Sequence, residues 1–378
     1  MKTIEQINDR IKKGKAVVLT AAEAKQLAEK ESVKELARKV DVVTTATFSP
    51  MCSSGMFINV GHARPALKME QATFDGVPAY GGIATADLFL GATERHPDRP
   101  RFGGAHVIAK LVRGEAVEVE ASGIPTDCYP GRDVRGRLTL DDVNQAYLFN
   151  PRNLYQNYNA AVNSSPDAMR TYMGVLRPRL GSVNYSGGGE ISPLLNDPFL
   201  RTIGVGTPLF CCGTVGYVAW EGTQSFPGRP RNKDNDVPIG PSATLAIVAD
   251  LRGMEPEFIR PVAIPGYGIS LYVAIGVGIP ILDEDLAFRV SVRNRDIKTN
   301  LVDYATGEII GQVNYESLLS GSISLEGKTV PSRTMSDNRG ARQVMEILKH
   351  WMLAGNFPLR EAVKPIPMNG KPLKPFGG

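Results

Sequence analysis

Asp41-Val-Val-Thr-Thr-Ala-Thr47 is a run of β-branched and apolar residues that empties into Phe48-Ser-Pro-Met-Cys-Ser-Ser-Gly55. A run of this kind without polar alternation reads as a buried strand. The residues before it read as helix. Thr3 with Gln6 makes a capping box for a first helix that stops at Gly14, and Ala16 to Leu19 is a short apolar run. Thr20 with Glu23 caps a second helix reaching about Lys39, with a solvated face from Glu23 to Glu35. Helices and strands stay interleaved further along the chain, which defines an α/β class with a mixed sheet. Strand ends that open into glycine- and serine-rich turns are where such sheets place ligand sites.

Downstream, Asp75 to Val112 is rich in glycine loops, and His106 precedes an apolar run that reads as strand, with satisfied burial as its expected state. Val117 to Ala121 alternates as a strand, and Thr139 with Asp142 opens a helical region. Ser242–Asp250 and Ile269–Ile281 are apolar and strand-like, Asp283 to Leu286 starts a turn or short helix, and Glu308–Tyr315 reads as a half-exposed strand. Asn338 to Leu353 carries Val344, Ile347, Leu348, Trp351 and Met352 on one helical stripe and stops near Gly355. The mixed sheet therefore has helices at both chain ends. After about Val363 the proline- and lysine-rich tail reads as loosely ordered. The expected division is one catalytic unit over residues 1–362, with room for two lobes, and a tail over 363–378.

Of the 378 residues, 42% are hydrophobic and 22% charged, and no apolar run is long enough to span a bilayer. Met1 to Lys15 lacks the apolar core of a signal peptide, which places the protein in the cytoplasm. A net charge of +4, dispersed along the chain, argues against a nucleic-acid partner. Four cysteines in a chain of this length argue against a disulfide framework, and no Cys-x-x-Cys pair or Cys/His cluster has zinc-site spacing. No metal site is expected.

Two cysteines lie in shaped loops. Cys128 sits in Gly123-Ile-Pro-Thr-Asp-Cys-Tyr-Pro-Gly-Arg132, between a strand-like and a helix-like run, where Pro125, Pro130 and Gly131 exclude a regular element. Arg132, Arg135 and Arg137 follow it, and nearby cations favour a thiolate, whereas Asp127 opposes it. Cys52 occupies the second loop, where the N–H groups of Ser53, Ser54 and Gly55 can form a nest for an anion or thiolate. For each loop the alternative is a tight turn with a structural thiol. His62 follows in Asn59-Val-Gly-His62, as a base or a structural hydrogen-bonder. Asn150 to Ala161 is dense in amides and tyrosines, suited to a polar substrate or to a packed polar seam. Tyr185-Ser-Gly-Gly-Gly-Glu190 lacks the lysine of a phosphate-binding loop. Cys211 and Cys212, among Leu209, Phe210 and Val215, read as core.

Thr44-Thr-Ala-Thr-Phe-Ser-Pro-Met-Cys-Ser-Ser-Gly55, Asn59-Val-Gly-His62, Val77-Pro-Ala-Tyr-Gly-Gly82 and Phe102-Gly-Gly-Ala-His-Val-Ile108 occur in one chain. With them come Thr126-Asp-Cys-Tyr-Pro130, Asn150-Pro-Arg-Asn-Leu-Tyr-Gln-Asn-Tyr158, Gly216-Tyr-Val-Ala-Trp-Glu-Gly-Thr-Gln224 and the helix near the C-terminus. Together these segments resemble the homocysteine biosynthesis protein family over roughly residues 1–362. The resemblance implies a sulfurtransferase that moves sulfur from an enzyme cysteine persulfide into L-aspartate semialdehyde and, with reduction, gives L-homocysteine. By position it implies Cys128 as the persulfide site and Cys52 as the assisting thiol, the two sulfurs sharing one cleft.

Arg132, Arg152 and Arg229 are then candidates for the substrate carboxylate, Glu221 or Asp127 for its ammonium, and His62 and Tyr129 for further substrate contacts. The sulfur would come from sulfide or a sulfane donor. With no iron–sulfur spacing in the chain, electrons would come from a separate ferredoxin-like protein. Some relatives carry a C-terminal pair of CBS domains, which this sequence does not show; Cys211-Cys212 and Gly131 also depart from the pattern. A non-catalytic sulfur carrier or scaffold, or a thiol enzyme acting on another carbonyl, shares the same motifs. Homo-oligomerisation is left open.

Overall fold

A computed structural model describes residues 1–370, 372–374 and 376. Its main body is a mixed sheet of fourteen strands. From one edge the order is Val18–Thr20, Val42–Pro50, Gly268–Pro280, Pro208–Cys211, Thr214–Glu221, Leu245–Asp250 and Gln145–Asn153. It continues through Gly55–Asn59, Asp87–Gly91, Val77–Tyr80, Gln71–Phe74 and Val117–Ser122 to Asp133–Leu138, and Ile259–Ile264 pairs with the long strand Gly268–Pro280.

Val42–Pro50 and Gly55–Asn59 stand six positions apart in that order, yet only residues 51–54 join them. Six flat inter-strand spacings would be ~29 Å, whereas the connecting residues reach ~18 Å at most. The sheet therefore curls until the two strands meet. Helix Gly104–Val112 fills the curl, packing against Ile259–Ile264 on one arm and Val117–Ser122 on the other, with Ala105, Val107, Ile108 and Leu111 buried. Gly104 is required there, because a Cβ would fall 1.9 Å from the Gly91 carbonyl oxygen.

Val42–Pro50 is buried along nearly its whole length, as its composition dictates. One face is covered by helix Asn338–Leu353, which buries Val344, Leu348 and Met352. Each such side chain contributes roughly 1.5–3 kcal/mol. The two chain ends meet nearby: the Asn8 amide donates to the Leu359 carbonyl (2.9 Å), the Leu359 N–H donates to Asn8 Oδ1 (3.0 Å), and Lys349 pairs with Glu23 at 2.7 Å. A second sheet of six strands, Ile309–Asn314, Lys298–Asp303, Ala160–Val162, Val183–Tyr185, Lys328–Thr334 and Ser322–Leu325, has its own core around Val162, Val183, Leu301, Tyr315 and Leu318. Among the described residues no helix is long and apolar enough to cross a membrane.

Several local expectations need correction. The second helix is broken: it ends at Lys30, and Ser32 caps a separate helix Val33–Lys39. The run after His106 is helix rather than strand, opened by Gly103 at its N-cap. Thr139 and Asp142 do form a capping box, but it closes a single turn, Leu140–Asp142, before the chain alternates as strand Gln145–Asn153. Cys128 therefore lies between two strands of a hairpin. The start of the tail is docked, since Lys364–Pro365 pairs with Gly204–Val205 and Ile366 is buried. Lys371, Pro375, Gly377 and Gly378 of that tail lie outside the described residues.

Candidate active site

The turn that joins the two arms of the curled sheet carries Cys52, and it is fastened on both sides. The Met51 N–H donates to the Leu271 carbonyl at 2.7 Å, and the Cys52 sulfur lies 3.1 Å from Ser270 Oγ. On the other side the Ser53 hydroxyl donates to Asn150 Oδ1 at 2.8 Å, and the fully buried Asn150 amide donates to Ser54 Oγ at 2.9 Å. The Ser54 N–H closes the turn onto the Met51 carbonyl, so the expected nest of N–H groups is not free at that position. Cys52 itself is half-buried and unoxidised.

This turn lines a cavity of about 360 Å³ where the two sheets meet. The main sheet and its turns contribute Thr47, Ser49, Cys52, Arg152 and Tyr267, segments adjoining the second sheet contribute Ser186, Gly187, Tyr315 and Met335, and Tyr172 comes from the small hairpin of Met169–Thr171 and Gly174–Leu176. Among the described residues, Arg152 is the one charged side chain in the lining. Phenols dominate the polar lining. Tyr155 donates toward Gln224 Oε1 at 3.4 Å, Tyr315 donates to Asn157 Oδ1 at 3.2 Å, and Tyr172 and Tyr304 share a 2.7 Å contact. Burial pushes the Tyr155, Tyr158, Tyr304 and Tyr315 hydroxyls above the ordinary phenol range, so all are protonated at neutral pH. The Tyr267 phenol is pushed up to about 12 by burial and by the adjacent Cys52 sulfur.

The glycine-rich segment after Tyr185 borders this cavity, with its amides used internally. The Gly187 N–H donates to Ser336 Oγ at 2.7 Å and the Gly188 N–H to Ser192 Oγ at 3.2 Å. Ser336 also meets Ser49 at 2.6 Å, tying the end of the buried strand to the segment before the long C-terminal helix.

Of the residues singled out in the sequence, Cys52 and Arg152 line this cavity, and Tyr155, Asn157 and Tyr158 from the amide- and tyrosine-rich stretch join them. Cys128 does not. The register runs Phe57 to Phe89 to Tyr80 to Gln71 to Ser122, and four antiparallel steps make Val117–Ser122 parallel to Gly55–Asn59. Cys52 precedes the first of these strands and Cys128 comes after the last, so their loops leave opposite ends of the sheet. Four inter-strand spacings, ~19 Å measured across the sheet, add to that separation. The expected shared cleft is not formed within the chain.

Cys128 is exposed, and its loop packs on residues 66–68 through the Gly131 N–H and the close approach of Gly123 to the Lys68 carbonyl. His62 and Arg132 are exposed and Tyr129 half-buried, all at that far end of the sheet. Arg135 is committed to Glu118 and Glu120. Glu221 and Asp127 are exposed, Arg229 stacks on Phe226, and none of the three lines the cavity. Cys211 and Cys212 are buried, as their apolar neighbours dictate. Tyr172, Tyr267 and Tyr315 escape the sequence reading. The one local signal for Tyr267 is Pro265-Gly-Tyr-Gly268, a turn whose glycines take φ of 70° and 149°.

A half-buried thiol and a protonated phenol thus line one small cavity, with a single cation among its described lining residues. The chain matches the family described as "Homocysteine biosynthesis enzyme, sulfur-incorporation" over residues 16–359, and it belongs to that family. It is 45% identical to the L-aspartate semialdehyde sulfurtransferase of Methanocaldococcus jannaschii, over 99% of this chain and 75% of the relative. It is 43% identical to the protein of the same name from Methanosarcina acetivorans, over 98% of this chain and 73% of the relative. An uncharacterized protein of Methanothermobacter thermautotrophicus is 29% identical over 85% of this chain and 72% of its own length. No solved structure matches the chain.

Proposed function

We propose that this chain transfers sulfur to L-aspartate semialdehyde, yielding L-homocysteine, and that Cys52 is the thiol that delivers the sulfur. The observation that carries this is the placement of Cys52 and Arg152 in one cavity in which Arg152 is the only charged lining residue among the described residues. A guanidinium suits the substrate carboxylate. Among the described residues no carboxylate lines the cavity, so the substrate ammonium falls to neutral oxygens such as Ser186 Oγ and Gln224 Oε1. The family and the names of the two relatives support the same chemistry.

The terminal sulfur of a Cys52 persulfide adds to the aldehyde carbon, forming a C–S bond, and the carbonyl oxygen takes a proton. Two electrons and two protons cleave the S–S bond, which restores Cys52 and leaves a thiol on the carbon. Loss of water gives a thioaldehyde, and two more electrons and two protons reduce it to the thiol of homocysteine. The electrons are assigned to a separate ferredoxin-like iron–sulfur protein and the sulfur to a sulfane donor, whose sulfur is already at the oxidation level of a persulfide. Cys128, exposed at the far end of the sheet, is given no step in this chemistry. The persulfide that family position suggests for Cys128 falls to Cys52 instead.

Intact mass after polysulfide treatment, followed by addition of the aldehyde and a low-potential reductant, tests the assignment. The wild type and Cys128→Ala are expected to carry sulfur on Cys52 and to form homocysteine, whereas Cys52→Ala forms none. Wild-type turnover by Cys52→Ala would overturn it.

A further inference from the structure

We infer that Tyr267 is the proton donor to the aldehyde oxygen as sulfur adds to the carbon, an inference that rests on the function proposed above. Among the described residues the cavity lining contains no Asp, Glu, His or Lys, so beyond the Cys52 thiol and the Arg152 guanidinium its acidic protons sit on hydroxyls. Five tyrosines line it. Tyr155 is turned to Gln224, Tyr315 to Asn157 and Tyr172 to Tyr304, and Tyr158 packs edge-on against Tyr172. Tyr267 shares the lining with Cys52, three residues before the Ser270 that touches its sulfur, and that sulfur raises the Tyr267 pKa.

Its placement is built. Tyr267 sits at the tip of the hairpin between Ile259–Ile264 and Gly268–Pro280, between glycines with φ of 70° and 149°, a geometry that other residues rarely adopt. Its carbonyl accepts from the Arg95 guanidinium, and its ring meets Tyr172 edge-on with centroids 6.0 Å apart. Three residues on, Ser270 touches the same sulfur. One short segment thus supplies both groups that face the nucleophile.

In the addition step a sulfur lone pair forms the C–S bond, and the C=O π pair moves to oxygen. That oxygen takes the phenolic proton, and the tyrosinate regains a proton from water. No electrons enter or leave. Burial and the adjacent sulfur keep the phenol protonated at neutral pH, so it holds the proton this step needs.

Full-length wild type, Tyr267→Phe, and protein with 3-fluorotyrosine at 267 are compared for sulfur loading on Cys52 by intact mass and for kcat and KM with the aldehyde. Loss of a general acid lowers rates by about 10²–10⁴-fold. Tyr267→Phe is expected to load sulfur to the wild-type extent, to lose kcat in that range, and to hold KM within ~3-fold, while 3-fluorotyrosine, which keeps the hydroxyl, restores turnover. Parental kcat in Tyr267→Phe would overturn the inference alone, as would loss of loading, which makes Tyr267 a support for the thiol. If the phenylalanine variant does not fold, the fluorinated protein decides through the same readouts: its kcat must respond to the more acidic phenol while loading holds, and an unchanged kcat overturns the inference. A wild type that loads sulfur but forms no homocysteine would overturn the function, and the inference with it.

Discussion

The Cys52 sulfur lies 3.1 Å from the Ser270 hydroxyl, joining the turn after Val42–Pro50 to the strand Gly268–Pro280 across 218 positions. A thiolate or persulfide anion there accepts the hydroxyl's hydrogen bond. Ser270→Ala removes about 1 kcal/mol of that support, which predicts a roughly fivefold slower alkylation of Cys52 at fixed pH, read by mass spectrometry, with Cys128 unaffected.

Arg152 is expected to hold the substrate carboxylate. A hydrogen bond to a charged group is worth about 1.5–3 kcal/mol, so Arg152→Gln should raise KM for the aldehyde by roughly 10–100-fold and leave sulfur loading of Cys52 intact. Arg152→Lys keeps the charge but loses the fork, and should fall between. An unchanged KM in Arg152→Gln would place the carboxylate elsewhere.

The four thiols should separate in a footprint. Cys128, exposed, is expected to react first with iodoacetamide, Cys52 more slowly, and the buried Cys211 and Cys212 only on unfolding. An unreactive analogue of the aldehyde substrate should protect Cys52 and not Cys128. Joint protection of both would indicate that the two loops come together in solution.

Lys25 offers a stability test. It is fully buried, and its amine donates to Asn196 Oδ1 at 2.9 Å and to the Val290 carbonyl at 2.8 Å. Burial pulls its pKa down to about 7 despite the nearby Glu190 carboxylate. The unfolded chain holds this proton up to ~10.4, so between those values the unfolded state binds more protons and stability rises with pH. The penalty is full below pH 7 and amounts to at most roughly 4–5 kcal/mol. Relative to Lys25→Met, the wild type should therefore gain stability from pH 7 to pH 10 in urea unfolding. Parallel curves would show that the amine stays charged in the fold.

The buried strand, its cysteine turn and the long C-terminal helix are legible in the sequence because each rests on a local pattern. Val42–Thr47 needs only its β-branched run, and Asn338–Leu353 only its stripe. The helix after His106 is hidden because its run is short and rich in residues that serve either element, with glycines in place of a polar cap. Thr139 and Asp142 show that a capping box marks a turn without fixing whether helix or strand comes after it. In the site, the Asn150–Tyr158 stretch points to the cavity, but Tyr172 and Tyr267 reach it, and Ser270 reaches the Cys52 sulfur, through strand pairings that no local spacing encodes. The separation of Cys128 from Cys52 is of the same kind, since it arises from four successive registers.

Ser49 and Ser336 meet at the cavity wall, and the strand bearing Ser49 is roofed by a helix that ends at Leu353. Synthesis is vectorial. At about 5–20 residues per second, some 300 further residues must be added after Thr47 before that roof can dock, a delay of roughly 15–60 s. For most of that time Val42–Thr47 has neither its cover nor its partner Gly268–Pro280, which is made before the helix. An unpaired β-branched segment is the kind that aggregates, so the same long-range closure that assembles the cavity leaves this segment open on the nascent chain until Gly268–Pro280 and then Asn338–Leu353 have been made.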